Sequence, residues 1–156
     1  MIPTPATARL IDANLNRVRE GLRVCEDVSR FIYEHEEWFL SFRNLRHQVT
    51  QLAVERMDLP SLIQFRDSES DLGRGIDAIK NGSSSIQDLF LRNLQRAKEG
   101  LCVLEEFGYE VDPSVRQAFQ TLRYTLYTLE KKIVSQLHDP TTCLNPPRAD
   151  CLTKVI

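Results

Sequence analysis

Apolar residues recur along this chain at the spacing of one helical face, and the recurrence breaks in only a few places. Between Thr4 and Tyr33, the positions Ile11, Leu15, Val18, Leu22, Val24, Cys25 and Val28 fall on one broad arc when plotted at about 100° per residue. Thr4 is a suitable cap for this helix, and Pro5 sits at its first position, where a missing N–H costs nothing. A second helix is predicted over Glu37–Met57, stopped by Asp58-Leu59-Pro60 because proline disfavours helical geometry in the residue before it. The third opens at Ser84 or Ser85, with Gln87 and Asp88 placed for a capping box, and runs to the stop signal at Gly108. A fourth opens with Asp112 and Pro113 and reaches about Leu137. No stretch longer than a few residues alternates with period two, so the pattern predicts an all-α protein.

An internal repeat organises these helices. Residues 14–26 read NLNRVREGLRVCE and residues 93–105 read NLQRAKEGLCVLE, so N-L-x-R-x-x-E-G-L-x-V-x-E recurs with an offset of 79. A fainter echo joins Phe42, Leu45, Arg46 and Leu52 to Phe119, Leu122, Arg123 and Leu129 at an offset of 77. The expected architecture is an antiparallel bundle of two pseudo-symmetric helical hairpins. The segment joining them, 62–85, carries RDSESDLGRG and is long for a bundle connection, a length that in compact domains marks a functional or a disordered loop. The pattern thus predicts a single helical domain over 1–138 and an extended Pro-containing tail over 139–156.

Composition narrows the options. At 156 residues the chain buries about two-thirds of its unfolded surface and needs neither disulfides nor a metal to fold. Lys plus Arg (20) nearly balance Asp plus Glu (22), which gives no support to a nucleic-acid or membrane-surface role. No basic segment leads into an apolar core at the N-terminus and no apolar run is long enough to span a membrane, so a cytoplasmic protein is expected. Cys25, Cys102, Cys143 and Cys151 form no C-x-x-C pair and read as reduced thiols.

Polar residues interrupt the two strongest apolar arcs at matching places. Asn14, Arg17 and Gly21 lie within the first arc, and Asn93, Arg96 and Gly100 within the third helix's arc. Glu20 and Glu99 follow Arg17 and Arg96 by three residues, so each arginine either clasps its own helix's glutamate or points into a polar cavity where its planar fork grips phosphate. A glycine within a helix costs about 1 kcal/mol relative to alanine, which predicts close helix–helix approach at Gly21 and Gly100. Glu26 and Glu105 project to the outer side of their arcs, as solvated groups or interhelical partners, while Arg46 and Arg123 border the apolar stripes of their own helices.

The connecting segment offers a different signal. Arg66, Asp67, Asp71, Gly73 and Arg74 set paired aspartates beside arginines and a glycine, a combination that suits Mg²⁺ with phosphate and equally a solvated charged loop. No G-x-x-x-x-G-K-[ST] sequence occurs, which disfavours a P-loop kinase.

Five segments taken in order, IDANLNRVREGLRVCEDVSRF (11–31), LRH (45–47), RDSESDLG (66–73), NLQRAKEGLCVLEEFG (93–108) and LRYTLYTLEK (122–131), resemble the all-helical hydroxymethylpyrimidine phosphate kinase family of thiamine biosynthesis, the domain found N-terminal to thiamine-phosphate synthase in fused proteins. The resemblance implies phosphorylation of 4-amino-5-hydroxymethyl-2-methylpyrimidine phosphate to its diphosphate, with ATP as cosubstrate and Mg²⁺. It implies phosphate binding by Arg17, Arg66, Arg96 and Arg123, with Asn14, Arg23, Arg46, Gly73, Asn93 and Glu99 as further matched positions. Asp67 or Asp71 would hold the metal, and Glu20 or Asp71 would accept a proton. It leaves room for a homodimer and for a functional link with thiamine-phosphate synthase, whose own barrel this chain is too short to form. Two departures fall in the second repeat: Cys102 stands where an arginine matching Arg23 is expected, and Gly100 where alanine is frequent. A non-catalytic module that holds a thiamine precursor for a separate synthase is the main alternative; a structural helical adaptor would instead show an exposed apolar groove.

Overall fold

The computed structural model describes residues 3–75, 85–139, 141 and 144. Among them every regular element is helical: α1 (Pro5–Phe31), α2 (Glu36–Arg56), α3 (Leu59–Gln64), α4 (Ile86–Phe107) and α5 (Pro113–Leu137), with a single 3₁₀ turn at Gly108–Glu110. The Gly-Ser stretch before Ser85, most of the expected C-terminal tail, Cys143 and Cys151 lie outside the described residues.

Local chemistry sets the helix ends. Thr4 Oγ1 accepts the Thr7 N–H at 3.1 Å, and Asp112 Oδ1 accepts that of Ser114 at 2.8 Å. Ser85 and Asp88 form a reciprocal capping box, the Asp88 N–H donating to Ser85 Oγ at 3.0 Å and the Ser85 N–H to Asp88 Oδ2 at 3.1 Å. The six-residue α3 lies partly within the segment expected to be a plain connection. Asp58 turns into the left-handed region (φ 42) and Pro60 occupies the first turn of α3, so the residue that stops α2 also starts the next helix. At Gly108 the backbone is ordinary (φ −60), and the glycine serves close packing instead: a Cβ there would stand 2.9 Å from Val115 Cγ2.

Helix α1 is the centre of the bundle, packing most extensively on α4 and then on α2, while α4 also packs on α5. Contacts at the α1–α4 seam are reciprocal. A Cβ on Gly21 would meet Asn93 O at 2.7 Å, and one on Gly100 would meet Asn14 O at 3.3 Å, so the glycines admit the partner helix's backbone. Asn14 Nδ2 donates to Leu10 O at 2.9 Å and Asn93 Nδ2 to Leu89 O at 2.9 Å. Each buried residue of α4, from Phe90 to Glu105, has a buried counterpart 79 positions earlier in α1, Ile11 to Glu26. Likewise Val115, Phe119, Leu122 and Leu126 of α5 answer Trp38, Phe42, Leu45 and Val49 of α2 at the offset of 77.

One end of the core is aromatic. Trp38 and Phe90 are fully buried and Tyr33 nearly so, with Tyr33 edge-on to both at 5.5 and 5.9 Å between ring centroids. Trp38 Nε1 donates to Gln136 Oε1 at 2.8 Å, which satisfies the indole and ties α2 to α5. Beside this cluster Cys25 is a free cysteine whose burial pushes its thiol pKa well above the usual range.

Candidate functional site

Among the described residues three carboxylates are buried, Asp12, Glu26 and Glu105, and each is met by an arginine from another element. Glu26 on α1 accepts from Arg46 on α2 at 2.6 Å (Nε) and 3.3 Å (Nη2). In the second repeat Glu105 on α4 accepts from Arg123 Nε on α5 at 2.7 Å, with Gln120 Nε2 donating at 3.0 Å. These carboxylates hold both guanidinium groups more firmly protonated than usual, with a hydrogen bond to Tyr127 the larger cause at Arg123. Of the two roles open to Glu26 and Glu105, interhelical partner is the one observed. The third pair has no such echo: Asp12 accepts from Arg66 at 2.6 Å (Nε) and 2.7 Å (Nη2), fastening the loop after α3 onto α1, whereas Leu91 occupies the position 79 residues on.

The expectation that Arg17 and Arg96 share one core-facing cavity is not met. Both are exposed, and neither clasps its own helix's glutamate. Arg96 Nη2 lies 3.6 Å from Glu20 across the α1–α4 seam, while Glu99 accepts from Gln95. Arg17 makes no ion pair among the described residues. A helical projection gives the direction of the Cα–Cβ bond only; a long side chain at the rim of the arc extends past it to water. Asn14 and Asn93 are taken up by the seam, each amide bound to a carbonyl of its own helix, so neither points toward an open site.

The remaining candidates converge on one flank of α1. A small cavity of about 180 Å³ is lined by Arg9, Asp12, Ala13 and Asn16 of α1 and by Arg66, Asp67, Ser68 and Asp71 of the loop. It adjoins a wider, open groove of about 590 Å³, lined by Asn16, Arg19, Glu20, Arg23 and Val24 of α1 with Arg46 of α2. Asn16 borders both, and its Nδ2 lies 3.5 Å from Asp12 Oδ1. Asp67 Oδ1 accepts the Ser70 N–H at 3.0 Å and Asp71 Oδ1 that of Gly73 at 2.7 Å, so one oxygen of each carboxylate shapes the loop while the other is left over. Gly73 acts through its backbone. Arg123 and Glu99, by contrast, belong to the second repeat and do not line this flank.

Sequence reasoning passed over Arg9, Asp12, Asn16 and Arg19. Their signal is a spacing: positions 9, 12, 16, 19, 23 and 26 advance by three and four, forming a stripe along one flank of α1 that reads Arg, Asp, Asn, Arg, Arg, Glu. The matching stripe of α4, at 88, 91, 95, 98, 102 and 105, reads Asp, Leu, Gln, Lys, Cys, Glu. The first stripe carries three arginines and the second a single lysine. That lysine is fully neutralised, since Lys98 Nζ donates to both oxygens of Glu130 at 2.6 and 2.7 Å. Arg19, its counterpart, has Ala53 where Glu130 would stand and makes no ion pair or side-chain hydrogen bond among the described residues.

Fold and flank together define a helical protein with one arginine-lined groove suited to an anionic ligand. The chain belongs to the ThiD2 family, which it matches over residues 9–132. It is 37% identical over 142 residues to a thiamine-phosphate synthase of Synechococcus sp. (strain CC9605), a match covering 90% of this chain and 36% of that protein. It is also 38% identical over 127 residues to the thiamine-phosphate synthase of Parasynechococcus marenigrum (strain WH8102), covering 81% of this chain and 35% of that protein. The chain thus spans about a third of the length of these relatives. No solved structure gives a significant match. No helix among the described residues is long and apolar enough to cross a membrane.

Proposed function

We propose that this protein acts in thiamine biosynthesis as a kinase that converts 4-amino-5-hydroxymethyl-2-methylpyrimidine phosphate to its diphosphate with ATP and Mg²⁺. The observation that carries the reading is the one-sided stripe of α1, where Arg19 and Arg23 line a groove and Arg9 lines, with Asp67 and Asp71, the small cavity that adjoins it at Asn16. Phosphoryl transfer asks chiefly for positioning and for neutralisation of charge, and this flank supplies both. The family membership and the relatives named as thiamine-phosphate synthases support the pathway assignment.

In the reaction an oxygen of the substrate's phosphate attacks the γ-phosphorus of ATP, the bond from that phosphorus to the β,γ-bridging oxygen breaks, and ADP leaves with the electron pair. A phosphate monoester has a second pKa of about 6 and is mostly dianionic at neutral pH. The attacking oxygen therefore carries no proton that must be removed, and a general base has little to do. Glu20, which faces Arg96, and Asp71 fit electrostatic and metal-holding tasks better than the proton-accepting role first expected of them.

Asp67 and Asp71 fit a magnesium ion. They line one small cavity, each has an oxygen to spare, and Mg²⁺ is commonly held by one or two carboxylates completed by water and substrate phosphates. Among the described residues no group of three or more His, Cys, Asp or Glu side chains is gathered to hold a metal by itself. Bound there, Mg²⁺ would neutralise charge on the transferring phosphates. Arg66 keeps the loop in place through Asp12 and brings Asp67 and Asp71 to the end of the stripe.

The test is turnover. Purified protein incubated with the pyrimidine phosphate, ATP and Mg²⁺ is expected to give the diphosphate and ADP in equal amounts, followed by phosphorus NMR. Tight binding of the pyrimidine phosphate without any diphosphate would replace the kinase reading with that of a module holding the precursor for a synthase.

A further inference from the structure

The two parts of the flank differ in charge in a way that assigns them to different ligands. Glu20 is the one acidic residue that lines the wider groove, and it faces Arg96 at 3.6 Å; Glu26 and Asp27, beside the groove on α1, are engaged by Arg46 and by Arg23 Nε at 3.0 Å. Arg19 is left without a carboxylate of its own. At the other end Asp67 and Asp71 each retain a free oxygen, and Arg66 is committed to Asp12. A bare phosphate monoester is attracted to the first region and repelled by the second, unless a divalent cation lies between. A nucleoside triphosphate brings such a cation with it.

Resting on the kinase reading above, we infer that the pyrimidine monophosphate binds on Arg19 and Arg23 in the wider groove, and that the metal-bound triphosphate enters at Arg9, Asp67 and Asp71. Arg19 is then the residue that selects the acceptor. Val24 in the groove wall offers apolar surface to a flat ring, and the groove's volume of about 590 Å³ accommodates ring and phosphate. Asn16, which borders both spaces, marks where the two phosphate chains meet. The second repeat shows the same position disabled: Lys98 stands in the place of Arg19 and is claimed by Glu130, while Cys102 stands in the place of Arg23.

The experiment combines steady-state kinetics with equilibrium binding of the pyrimidine monophosphate alone, without nucleotide or metal, by calorimetry. Arg19→Met should raise KM and Kd for the pyrimidine phosphate about 10- to 100-fold, the loss expected of a charge-assisted hydrogen bond, and should leave KM for ATP within twofold. Arg19→Lys should recover part of the loss. Asp67→Asn should instead raise the Mg²⁺ concentration needed for half-maximal rate and leave Kd of the monophosphate unchanged. Lys98→Met, in the second repeat, should leave both KM values unchanged. An Arg19→Met protein of normal helicity that loses ATP affinity, or loses neither affinity, overturns the assignment while the kinase reading stands. Wild-type protein that binds the monophosphate through Arg19 but never turns over sinks the kinase reading and keeps Arg19 as the acceptor's anchor. If wild-type protein does not bind the monophosphate at all, the assignment is wrong.

Discussion

The two copies of one sequence pattern bury matching positions and differ in the chemistry they carry beside them. In both, a buried glutamate on the first helix of the pair is held by an arginine on the second, and a glycine admits the backbone of the opposite half. What differs is the stripe beside the glutamate. α1 presents Arg9, Arg19 and Arg23 there; α4 presents Asp88, Lys98 and Cys102. Core positions are constrained by volume and by the cost of an unpaired buried charge, so they persist in both copies. A binding stripe is constrained only where a ligand uses it. The comparison therefore separates residues that make the bundle from those that form the proposed binding stripe.

The glutamate–arginine pairs supply the largest test. Arg46→Met leaves Glu26 buried with only the distant Arg23 Nη1, 3.9 Å away, and should cost about 3 to 5 kcal/mol in chemical denaturation. Arg123→Met should cost less, because Gln120 still donates to Glu105. Equal losses from the two variants would mean that the halves are held more alike than their hydrogen bonds indicate.

Next are the glycines. Gly21→Ala drives a Cβ to 2.7 Å from a backbone carbonyl, Asn93 O, which cannot yield without moving α4. A net loss of about 1 to 3 kcal/mol is expected even after the gain in helix propensity. In Gly100→Ala the nearest atom is the side-chain methyl Val18 Cγ2 at 2.6 Å, which can rotate away, and the Asn14 carbonyl is at 3.3 Å. That substitution should come within about 1 kcal/mol of neutral, in keeping with the alanine expected there from the family pattern. Thermal melts of the two single variants decide it.

Asp12 and Arg66 offer a test that separates stability from function. Arg66→Met should destabilise by about 1 to 3 kcal/mol, less than a fully buried pair because Arg66 is 44% exposed. Adding Asp12→Leu, which copies Leu91 of the second repeat, should restore most of that stability, since an apolar replacement of a buried pair is often neutral or better. Turnover should not return, because the loop carrying Asp67 and Asp71 has lost its tether. Recovery of activity in the double variant would show that the tether is structural only.

The smallest expected effect concerns acid. Hydrogen bonds from Ser85 hold Asp88 below its ordinary value of 3.8, and hydrogen bonds from Ser114 do the same for Asp112. A carboxylate whose pKa is lowered by folding contributes stability above its unfolded value and loses it as pH falls through the folded one. The starts of α4 and α5 should therefore fray below about pH 4, whereas the start of α1, capped by Thr4, has no such group to titrate. Amide-exchange protection factors, corrected for intrinsic rate, should fall at residues 86–89 and 114–116 and hold at residues 6–8.

Much of this architecture was legible in the chain. Caps at Thr4, Ser85 and Asp112 are local events between residues two or three apart, and the observed helices begin next to them. Gly21 and Gly100 announced a close approach, because a mid-helix glycine has few other reasons to persist. His35 as the cap of α2 was not legible, since an imidazole rarely fills that role, and α3 was hidden by a proline read only as a stop.

The site divided differently. By itself the sequence determined the four long helices, the repeat, the seam and the acidic loop, because each depends on neighbours in the chain or on a period that can be counted. Only the tertiary structure decided which charges are buried and with whom. Arg17 and Arg96 lay within apolar arcs yet reach water, while Asp12 and Glu26 lay outside the arc and are buried. A helical projection knows one helix, whereas burial of its flank depends on what the others bring: Arg46 arrives from 20 residues away and Arg66 from 54. The same reason explains Arg19. It makes no ion pair among the described residues, and position 53 of α2, the counterpart of Glu130, is an alanine; no local pattern in α1 contains either fact.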